Sequence, residues 1–305
     1  MANEKALLII DSNSVIHRAY HALPPLTTKS GKLVNAVYGF LLVFLKAIKE
    51  FKPLYVAACF DMKGPTFRHK KFKEYKAKRV KAPEELYLQI PIVKEILRAF
   101  NIPVFEKEGY EADDIIGTIA FLSPVETIIL SGDADALQLV DDKTKVFTLR
   151  KGVKDTILYN EQLTREKFGG LVPSQILDFK ALRGDPSDNI PGVKGIGEKT
   201  AIELILEFGD MCNLYKEIKE DSVKAKKLKP RVKELLSKYK EQAFLSRDLA
   251  KIEKQAPIDF NIDECRWGKY NKEEIIKLLE SLGFYSLITR LPESQFSLGG
   301  NLKLW

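Results

Sequence analysis

The sequence predicts an α/β fold, in which a mostly parallel central sheet carries helices on both faces and a helical region follows. Three observations lead to this prediction. Short apolar runs of strand length alternate with longer segments of helical periodicity in the first half of the chain. Acidic residues follow several of these runs, as expected where parallel strands end and ligands bind. After about residue 168 the strand-like runs fade, and helical patterns dominate to about residue 291.

The elements can be placed in order along the chain. The predicted strands are residues 6–10, 54–60, 102–106, 127–130 and 145–149. The predicted helices between them are residues about 33–50, 84–100 and 111–122. A boundary near Gly169, Gly170 and Pro173 divides an α/β domain, residues 1–168, from a helical domain, residues 169–305, whose tail from Ser297 is poorly patterned and expected to fray.

Carboxylates are concentrated where the predicted strands end. Asp11 and Asp61 follow their strands directly, and Asp133 follows its strand through Ser131 and Gly132. Such side chains converge at one edge of a parallel sheet, where like charges need a strongly positive partner. Hard oxygen ligands of this kind favour Mg²⁺, with Mn²⁺ as a substitute, and predict a two-metal hydrolytic site. The nine candidate ligands are Asp11, Asp61, Glu111, Asp113, Asp114, Asp133, Asp135, Asp185 and Asp188.

The charge balance indicates a polyanionic substrate. The chain has 49 Lys and Arg against 42 Asp and Glu, a net charge of +7. When the nine candidate ligands are set aside, 33 acids remain against 49 basic residues, which leaves +16 on the rest of the molecule. A basic body around an acidic pocket suits nucleic acid, although net charge by itself fits any soluble basic protein equally well.

Two acidic motifs differ in how strongly they indicate a metal site. Three acids lie within four residues at Glu111-Ala-Asp-Asp114, at the start of a predicted helix. One acid in a first helical turn is an ordinary partner of the helix dipole, but three repel one another and favour a metal site. The pair Asp133 and Asp135 is weak evidence alone, because Asp-x-Asp is frequent in turns. The five acidic clusters together make the metal site the stronger interpretation.

A basic stretch, residues 63–81, interrupts the alternation of strands and helices. It holds nine Lys and Arg and one acid, with aromatic residues among them. The spacing predicts one helical face formed by Arg68, Phe72, Tyr75, Lys76 and Arg79. Such a face suits single-stranded nucleic acid, and a solvated basic helix is the alternative. Because the stretch follows Asp61, we expect it at the rim of the acidic crevice, as a helical arch over residues about 63–100.

A glycine-punctuated loop precedes a predicted helix in the second half. The segment Ile190-Pro-Gly-Val-Lys-Gly-Ile-Gly-Glu-Lys-Thr-Ala201 is not a dinucleotide-binding fingerprint, because no strand precedes it. Glycines let the backbone approach a phosphate, and a helix N-terminus offers free N–H groups. We predict a helix-hairpin-helix over residues about 185–208 that grips DNA backbone, with a plain turn as the alternative. Its candidate contacts are Gly192, Lys194, Gly195, Gly197, Lys199 and Thr200.

Composition argues against several other classes. The three cysteines are scattered and the three histidines badly spaced, which argues against a zinc site and against disulfides. No apolar run reaches about 18 residues and the N-terminus has no signal-peptide layout, so we expect no membrane association and a cytoplasmic location.

Taken together, these motifs resemble the bacterial 5′-nuclease domain of DNA polymerase I, in the flap endonuclease superfamily. The resemblance runs from about residue 6 to 290 and is most specific in the block Gly184 to Ala201. It implies a PIN-like domain and 5′→3′ exonuclease and flap cleavage with two Mg²⁺. It also implies a hairpin that binds duplex DNA with K⁺. Arg18, Lys76 and Arg79 match positions that hold the phosphate near the cut, and Tyr75 matches a position that stacks. Arg68, on the predicted basic face, is a further candidate DNA contact.

We expect the nine acids to divide between two ions, some of them acting through bound water. Asp11, Asp61, Glu111 and Asp113 are expected at one ion, and Asp114, Asp133, Asp135, Asp185 and Asp188 at the other or its waters. His17 departs from the family, where a stacking tyrosine is expected. The expected partner is DNA with a 5′ flap, nick or branch, bound by a monomer. A free-standing nuclease beside a separate DNA polymerase and a part of a longer polymerase both remain open. The alternative functions are a non-catalytic branched-DNA scaffold and a related ribonuclease.

Overall fold

A six-stranded, mostly parallel sheet forms the centre of the computed structural model, which describes residues 6–294. The strand order is β3-β2-β1-β4-β5-β6, with the first five strands parallel and β6 antiparallel to β5. The strands are β1 (Leu7–Asp11), β2 (Tyr55–Cys59), β3 (Val104–Phe105), β4 (Thr127–Ser131), β5 (Thr144–Lys151) and β6 (Asp155–Tyr159). The predicted fold class is confirmed, whereas β6 was not predicted from the sequence.

The strands in the middle of the sheet are apolar because both faces are covered. All four residues from Leu7 to Ile10 are fully buried in β1, with β2 on one side and β4 on the other. Asp11 pairs in register with Cys59, the last residue of β2. The carboxyl ends of β1, β2 and β4 therefore meet at one edge, which is where the acidic residues begin.

Helices cover both faces of this sheet, and the three segments predicted as helices, about 33–50, 84–100 and 111–122, lie close to observed ones. The helices are α1 (Ser12–Ala22), α2 (Asn35–Phe51), α3 (Phe67–Lys71), α4 (Glu84–Tyr87), α5 (Ile90–Ala99), α6 (Ala112–Leu122) and α7 (Glu161–Lys167). The segment predicted as one helix over 84–100 consists of α4 and α5, and Pro91 lies in the first turn of α5. Proline there lacks only an N–H that a first turn leaves free, so it favours a new helix start.

The prediction of a single basic helix over residues 68–79 is wrong. Only α3 is helical, and turns follow it as far as Lys78. Phe72 is extended, and Lys76 has a positive φ of 55°. The backbone N–H of Lys76 bonds the carbonyl of Asp188 at 2.9 Å, outside any helix. A tertiary contact thus overrides the local helical pattern, and the arch region is mostly irregular between Phe72 and Ala82.

The second half of the chain is helical and has its own apolar core. Its helices are α8 (Ile176–Arg183), α9 (Glu198–Phe208), α10 (Met211–Lys219), α11 (Val223–Lys226), α12 (Pro230–Lys238), α13 (Lys240–Ala250), α14 (Lys272–Ser281) and α15 (Tyr285–Ile288). Side chains of α8, α9, α10, α12 and α13 share one cluster, with Leu182, Leu204, Leu214 and Leu236 among its buried members. No helix within residues 6–294 is long and apolar enough to cross a membrane.

The last described segment returns to the first domain. Tyr270, Phe284 and Leu287 are buried in the same core as α2 and β1, and Trp267 packs against Phe44 and Phe100. The structure therefore differs from the predicted division at residue 169, because residues from about 265 onward complete the α/β core rather than the helical one. The tail from Ser297, which we expected to fray, lies outside the described residues.

Candidate active site

The first carboxylate of the crevice is held between two strands. Asp11 ends β1 and caps α1, where its Oδ1 accepts a hydrogen bond from the Ser14 N–H at 3.2 Å. The hydroxyl of Ser131, the last residue of β4, donates to Asp11 Oδ2 at 2.6 Å. Ser131 also accepts a bond from the Asp133 N–H at 3.0 Å. These contacts fix Asp11 and the start of the Asp133 loop side by side.

A second group of carboxylates surrounds the start of α6. Asp61 follows β2, and its Oδ1 accepts a hydrogen bond from the Ala112 N–H at 2.8 Å. Glu111 is the N-cap residue of α6, and Asp113 lies in its first turn. The α6 N-terminus is therefore bound to the end of β2, which brings Asp61, Glu111 and Asp113 to the same edge of the sheet as Asp11.

Four of these acids, which we call the unpaired acids, make no ion pair with a lysine or arginine among residues 6–294. They are Asp11, Asp61, Asp113 and Asp133. Burial raises the pKa of Asp11 to about 6, and the charge of Asp61 adds to the effect. Desolvation and the charges of Asp11, Asp133 and Asp135 raise the pKa of Asp113 well above its usual value. Desolvation in the crevice also raises the pKa of Asp61, although this side chain reaches solvent.

The other five acids, which we call the paired acids, contact basic side chains. They are Glu111, Asp114, Asp135, Asp185 and Asp188. Burial opposes the ionisation of Glu111, but Lys76 at 2.9 Å and Arg68 at 3.5 Å outweigh it and lower its pKa. Desolvation raises the pKa of Asp188 despite Lys76 at 3.8 Å. The sequence did not divide the nine acids in this way.

Lys180 is a site residue that the sequence analysis missed. It lies in α8, is 7% exposed and bridges Asp135 of the α/β domain and Asp185 of the hairpin, at 2.9 Å from the latter. Burial disfavours the charge of Asp185, but Lys180 and Ser187 outweigh it and lower its pKa to about 2. Burial raises the pKa of Asp135 to about 6, with Lys180 opposing the shift. The only signal in the sequence was a lysine within the apolar pattern that precedes Gly184.

The structure contradicts the prediction that Asp114 is a metal ligand. Its carboxylate is fully buried and receives two bonds from Arg68, both 2.7 Å long. The N–H groups of Glu111 and Glu253 donate to the same carboxylate at 3.0 and 2.8 Å. Four donors occupy the lone pairs that a metal would need, so Asp114 secures the start of α6 beneath the crevice.

Two predicted DNA contacts are also wrong. Arg68 is 2% exposed, and besides Asp114 it donates to the carbonyls of Leu249 and Lys251. Tyr75 is 3% exposed, and its hydroxyl lies 3.1 Å from Glu111 and 3.3 Å from Asp188. Neither side chain presents a surface on which a base or phosphate could rest. Both instead hold the base of the arch against the paired acids.

The three basic residues expected at the phosphate differ in their surroundings. Lys76 reaches Glu111 and Asp188 inside the crevice. Arg79 is exposed, and its charge acts on both Asp61 and Asp188, so it faces the same space. Arg18 donates through Nη2 to the carbonyls of Leu149 and Arg150 at 3.1 and 2.7 Å. The structure thus brings Lys76 and Arg79 to the acids, whereas Arg18 is engaged with β5.

The hairpin, residues 184–197, contains both buried and exposed glycines. Gly192 is buried, and a Cβ there would lie 2.3 Å from the nitrogen of Gly184, so its role is close packing rather than the predicted DNA contact. Gly195 and Gly197 are exposed, as are Lys194 and Lys199, and Thr200 is half-buried. A Cβ at Gly197 would meet nothing within 4 Å, whereas one at Gly195 would lie 2.9 Å from Leu235. The surface suited to a phosphate is therefore Lys194 to Lys199.

Helix α13 connects the hairpin to the acidic crevice. Its Ser246 accepts a hydrogen bond from the Gly192 N–H at 3.0 Å, and its Gln242 donates to the Gly192 carbonyl. At the far end of α13, Leu249 packs with Tyr75 and Ile190, and its carbonyl accepts the bond from Arg68. The hairpin, the arch base and the buried pair under α6 are therefore joined through one helix.

The oxygen-rich donor set fits a hard divalent cation. Within residues 6–294, no three carboxylate, imidazole or thiol side chains are arranged closely enough to hold a metal ion together. The unpaired acids nevertheless carry crowded negative charge, which shows in the raised pKa values of Asp11 and Asp113. Carboxylates near solvent with no cation to neutralise them have the chemistry that Mg²⁺ requires.

Comparison with protein families matches nearly the whole chain. Residues 6–169 match the family described as 5′-3′ exonuclease, N-terminal resolvase-like domain. Residues 171–273 match the family described as 5′-3′ exonuclease, C-terminal SAM fold. These two matches meet where the α/β part of the chain gives way to the hairpin-bearing helices.

Curated relatives are DNA polymerases I. The chain is 44% identical over 296 residues to DNA polymerase I of Bacillus subtilis, which covers 96% of this chain and 33% of the relative. It is 38% identical over 299 residues to DNA polymerase I of Mycobacterium tuberculosis, with 96% and 32% covered. The chain thus spans about one third of the length of the relatives it matches.

Solved structures share the fold. T5 5′-exonuclease, in a structure described with bound zinc, has a TM-score of 0.65 at 22% identity, covering 81% of this chain and 89% of that one. Flap endonuclease-1 from Methanococcus jannaschii has a TM-score of 0.57 at 20% identity, covering 95% and 91%. At these identities the likeness establishes a common architecture.

Proposed function

The chain belongs to the 5′-3′ exonuclease family, as its motifs predicted, and we propose that it is a structure-specific DNA 5′-nuclease. In this proposal it removes nucleotides from 5′ ends and cleaves 5′ flaps by metal-dependent hydrolysis of phosphodiesters, in primer removal and DNA repair. The relatives are DNA polymerases I, and one structural neighbour of related fold is described as a pseudo-enzyme-product complex with DNA and metal ions.

One observation carries the proposal. Asp11, Asp61 and Asp113 come from three separate parts of the chain and meet at the carboxyl edge of one sheet, where burial and neighbouring acids raise their pKa values. No lysine or arginine within residues 6–294 forms an ion pair with them. A protein keeps such mutual repulsion where a cation will neutralise it. With Asp133, these residues would hold the metal ions.

The remaining residues of the crevice have roles that follow from their contacts. Two Mg²⁺ ions, or Mn²⁺ in their place, would supply a water of lowered pKa and stabilise the charge of attacking and leaving oxygens. Lys180 holds Asp135 and Asp185 together, so these acids are placed to bind metal-bound water rather than to carry full ligand charge. Arg68 and Asp114 fix the start of α6, which orients Asp113.

Lys76 and Arg79 are proposed to neutralise the phosphate at the cut. Lys76 lies among Glu111 and Asp188 with a fifth of its side chain exposed, and Arg79 is exposed next to it. A phosphate entering the crevice would compete with Glu111 for Lys76. The contact between Lys76 and the phosphate would strengthen as negative charge develops on the phosphate oxygens. Arg18 can join them if it exchanges its contacts with β5 for the phosphate.

The hairpin is proposed to hold the duplex part of the substrate. Lys194, Gly195, Gly197, Lys199 and Thr200 present two exposed cations and an accessible backbone at the N-terminus of α9. We extend the proposal to K⁺ bound at the hairpin and to action as a monomer in the cytoplasm. We also propose a DNA polymerase as the neighbouring activity, because relatives carry this region as one third of DNA polymerase I.

The decisive experiment is cleavage of a duplex bearing a labelled 5′ flap, with and without Mg²⁺, by the wild-type chain and by Asp133→Ala. We expect Mg²⁺-dependent release of the flap by the wild type only, while both proteins bind the substrate. Binding without cleavage in every metal would support a non-catalytic scaffold. Preferential cleavage of an RNA version of the same substrate would support a ribonuclease.

A further inference from the structure

A second concentration of positive charge, besides the basic stretch of the arch, lies outside the crevice, the arch and the hairpin. Residues 223–240, which span α11 and α12, contain eight Lys and Arg and one Glu, a net charge of +7 that equals that of the whole chain. Seven of these eight basic residues are exposed. Nothing in the proposed hydrolysis uses them.

Helix α12 touches the hairpin through Leu235. A Cβ at Gly195 would lie 2.9 Å from Leu235 Cδ1, so the two segments are in direct contact. Residues four before and three after a helical position lie on the same side of the helix. Arg231 and Lys238 therefore flank Leu235 along the helix edge that faces the hairpin, and we call these two residues the α12 basic edge. Glu234, the acid of this segment, lies three residues after Arg231 and four before Lys238, so it is on the same side; it forms no ion pair with either among residues 6–294.

Neither residue of the α12 basic edge has an acidic partner among residues 6–294, whereas three other basic residues of residues 223–240 are engaged. Lys226 and Lys233 pair with Asp221, and Lys224 donates to the carbonyl of Glu207. Arg231 makes no ion pair among residues 6–294, and Lys238 lies over the ring of Tyr239 at 5.5 Å without an acidic partner there. Free cations thus lie on the side next to the hairpin.

The α12 basic edge lies farther from the crevice than the start of the hairpin does. The hairpin runs from Asp188, which contacts Lys76 in the crevice, to Gly195, which contacts α12. Helix α12 therefore lies on the side of the hairpin away from the cut. Arg231 and Lys238 are seven residues apart, about 10 Å along the helix axis, which spans roughly three phosphates of one DNA strand at about 3.4 Å each.

We propose that the α12 basic edge is a second contact for the duplex arm of the substrate, beyond the hairpin. The proposal rests on the proposed function, since it takes DNA as the ligand. It follows that the protein grips a long duplex arm more tightly than a short one, and that this extra grip comes from Arg231 and Lys238 rather than from the hairpin.

The test compares the wild type with a double variant that carries Arg231→Gln and Lys238→Gln. The flap substrates have duplex arms of about 8 and about 20 base pairs, roughly 27 and 70 Å long. We expect the affinity for the long arm to fall about tenfold, with a salt dependence shallower by about 1.8 in log–log slope. Affinity for the short arm and the single-turnover cleavage rate at saturating enzyme should change less than about twofold.

Lys277→Gln with Arg290→Gln is the matched control, because both residues are exposed, and the pair removes the same charge from the α14–α15 region. Equal losses on both arms, no loss on either, or the same loss in the control would each overturn the proposal. Arg231→Ala with Lys238→Ala, checked for an unchanged melting temperature, guards against a local effect of glutamine. If the wild type neither binds nor cleaves any flap substrate, the proposed function fails instead.

Discussion

The unpaired and the paired acids occupy one crevice, yet they differ in whether a basic side chain forms an ion pair with them. Asp11 is buried without a cation and has a pKa of about 6, whereas Asp185 is buried against Lys180 and has a pKa of about 2. An aspartate is therefore available to bind a cation at position 11, whereas an aspartate at position 185 is part of an ion pair within the protein. A cluster of acids is therefore not a metal site throughout, because some of its members form ion pairs that fix the segments carrying the other acids.

The largest expected effect separates the two kinds by activity. We expect Asp113→Asn to reduce the cleavage rate at least about a thousandfold, about 4 kcal/mol of lost transition-state stabilisation, because an unpaired ligand would be neutralised. The fold should persist or become more stable without metal, since a crowded charge is removed. Single-turnover cleavage and urea unfolding measure the two effects, and a variant with more than about a tenth of wild-type rate would refute the assignment.

The second effect separates them by stability. We expect Asp114→Asn to lower the free energy of unfolding by about 3–5 kcal/mol, because the buried Arg68 charge loses its bidentate partner and keeps only the longer contact with Glu111 at 3.5 Å. The control is Asp248→Asn, which breaks the exposed pair with Lys71 and should cost less than about 1 kcal/mol. Urea unfolding of both variants measures the difference. Similar values for the two would show that Asp114 is no more structural than a surface acid.

The third effect concerns metal and pH. A raised carboxyl pKa means that the folded state binds the proton more tightly. Asp11 and Asp135, whose pKa values burial raises to about 6, therefore lower the metal-free stability as pH rises from about 4 through about 6. Asp185 acts in the opposite sense, but only at lower pH, between about 2 and 4. Mg²⁺ at a hundred times its pH 7.5 Kd should therefore stabilise the protein by about 2.7 kcal/mol at pH 7.5, and the same concentration should stabilise it less at pH 5.

Thermal unfolding with and without Mg²⁺ at the two pH values measures this effect. Asp113→Asn is the control, and it should lose most of the increment at pH 7.5. An increment that is the same at both pH values would mean that the unpaired acids do not bind the ion.

The smallest effect extends the comparison to the two DNA-facing regions. We expect Lys76→Ala to slow cleavage about tenfold or more with little change in duplex affinity, because Lys76 lies within the crevice. Gly197→Val should instead weaken duplex binding up to about tenfold, because the backbone there is open to a phosphate and a side chain would fill that space. Rate and affinity are measured separately on one flap substrate.

Gly197 is a better probe than Gly195. A side chain at Gly195 would meet Leu235 and would adopt a φ of +92°, so its effect would mix folding with binding. If Gly197→Val slows cleavage at saturating enzyme but leaves duplex affinity intact, the hairpin has been given the wrong role.

The sequence by itself determined the class of the fold and the place of the site. Apolar runs that end in acids require parallel strands whose carboxyl ends share one edge, and that prediction is confirmed by the six-stranded sheet. The acids and the glycine-rich hairpin were visible because their local spacing is unusual. By contrast, β6 was invisible, since a five-residue strand after a turn has no strong periodic signal.

Only the tertiary structure decided which acids are free and which basic residues are used. Arg68 and Asp114 are 46 residues apart and Lys180 and Asp135 are 45 apart, and no local pattern reveals such pairs. The helical spacing of residues 68–79 was real in sequence but lost in the fold, because Lys76 bonds Asp188 instead of continuing a helix. Whether a charge is a ligand, a brace or a DNA contact depends on its neighbours in space, and those are set only when distant segments pack together.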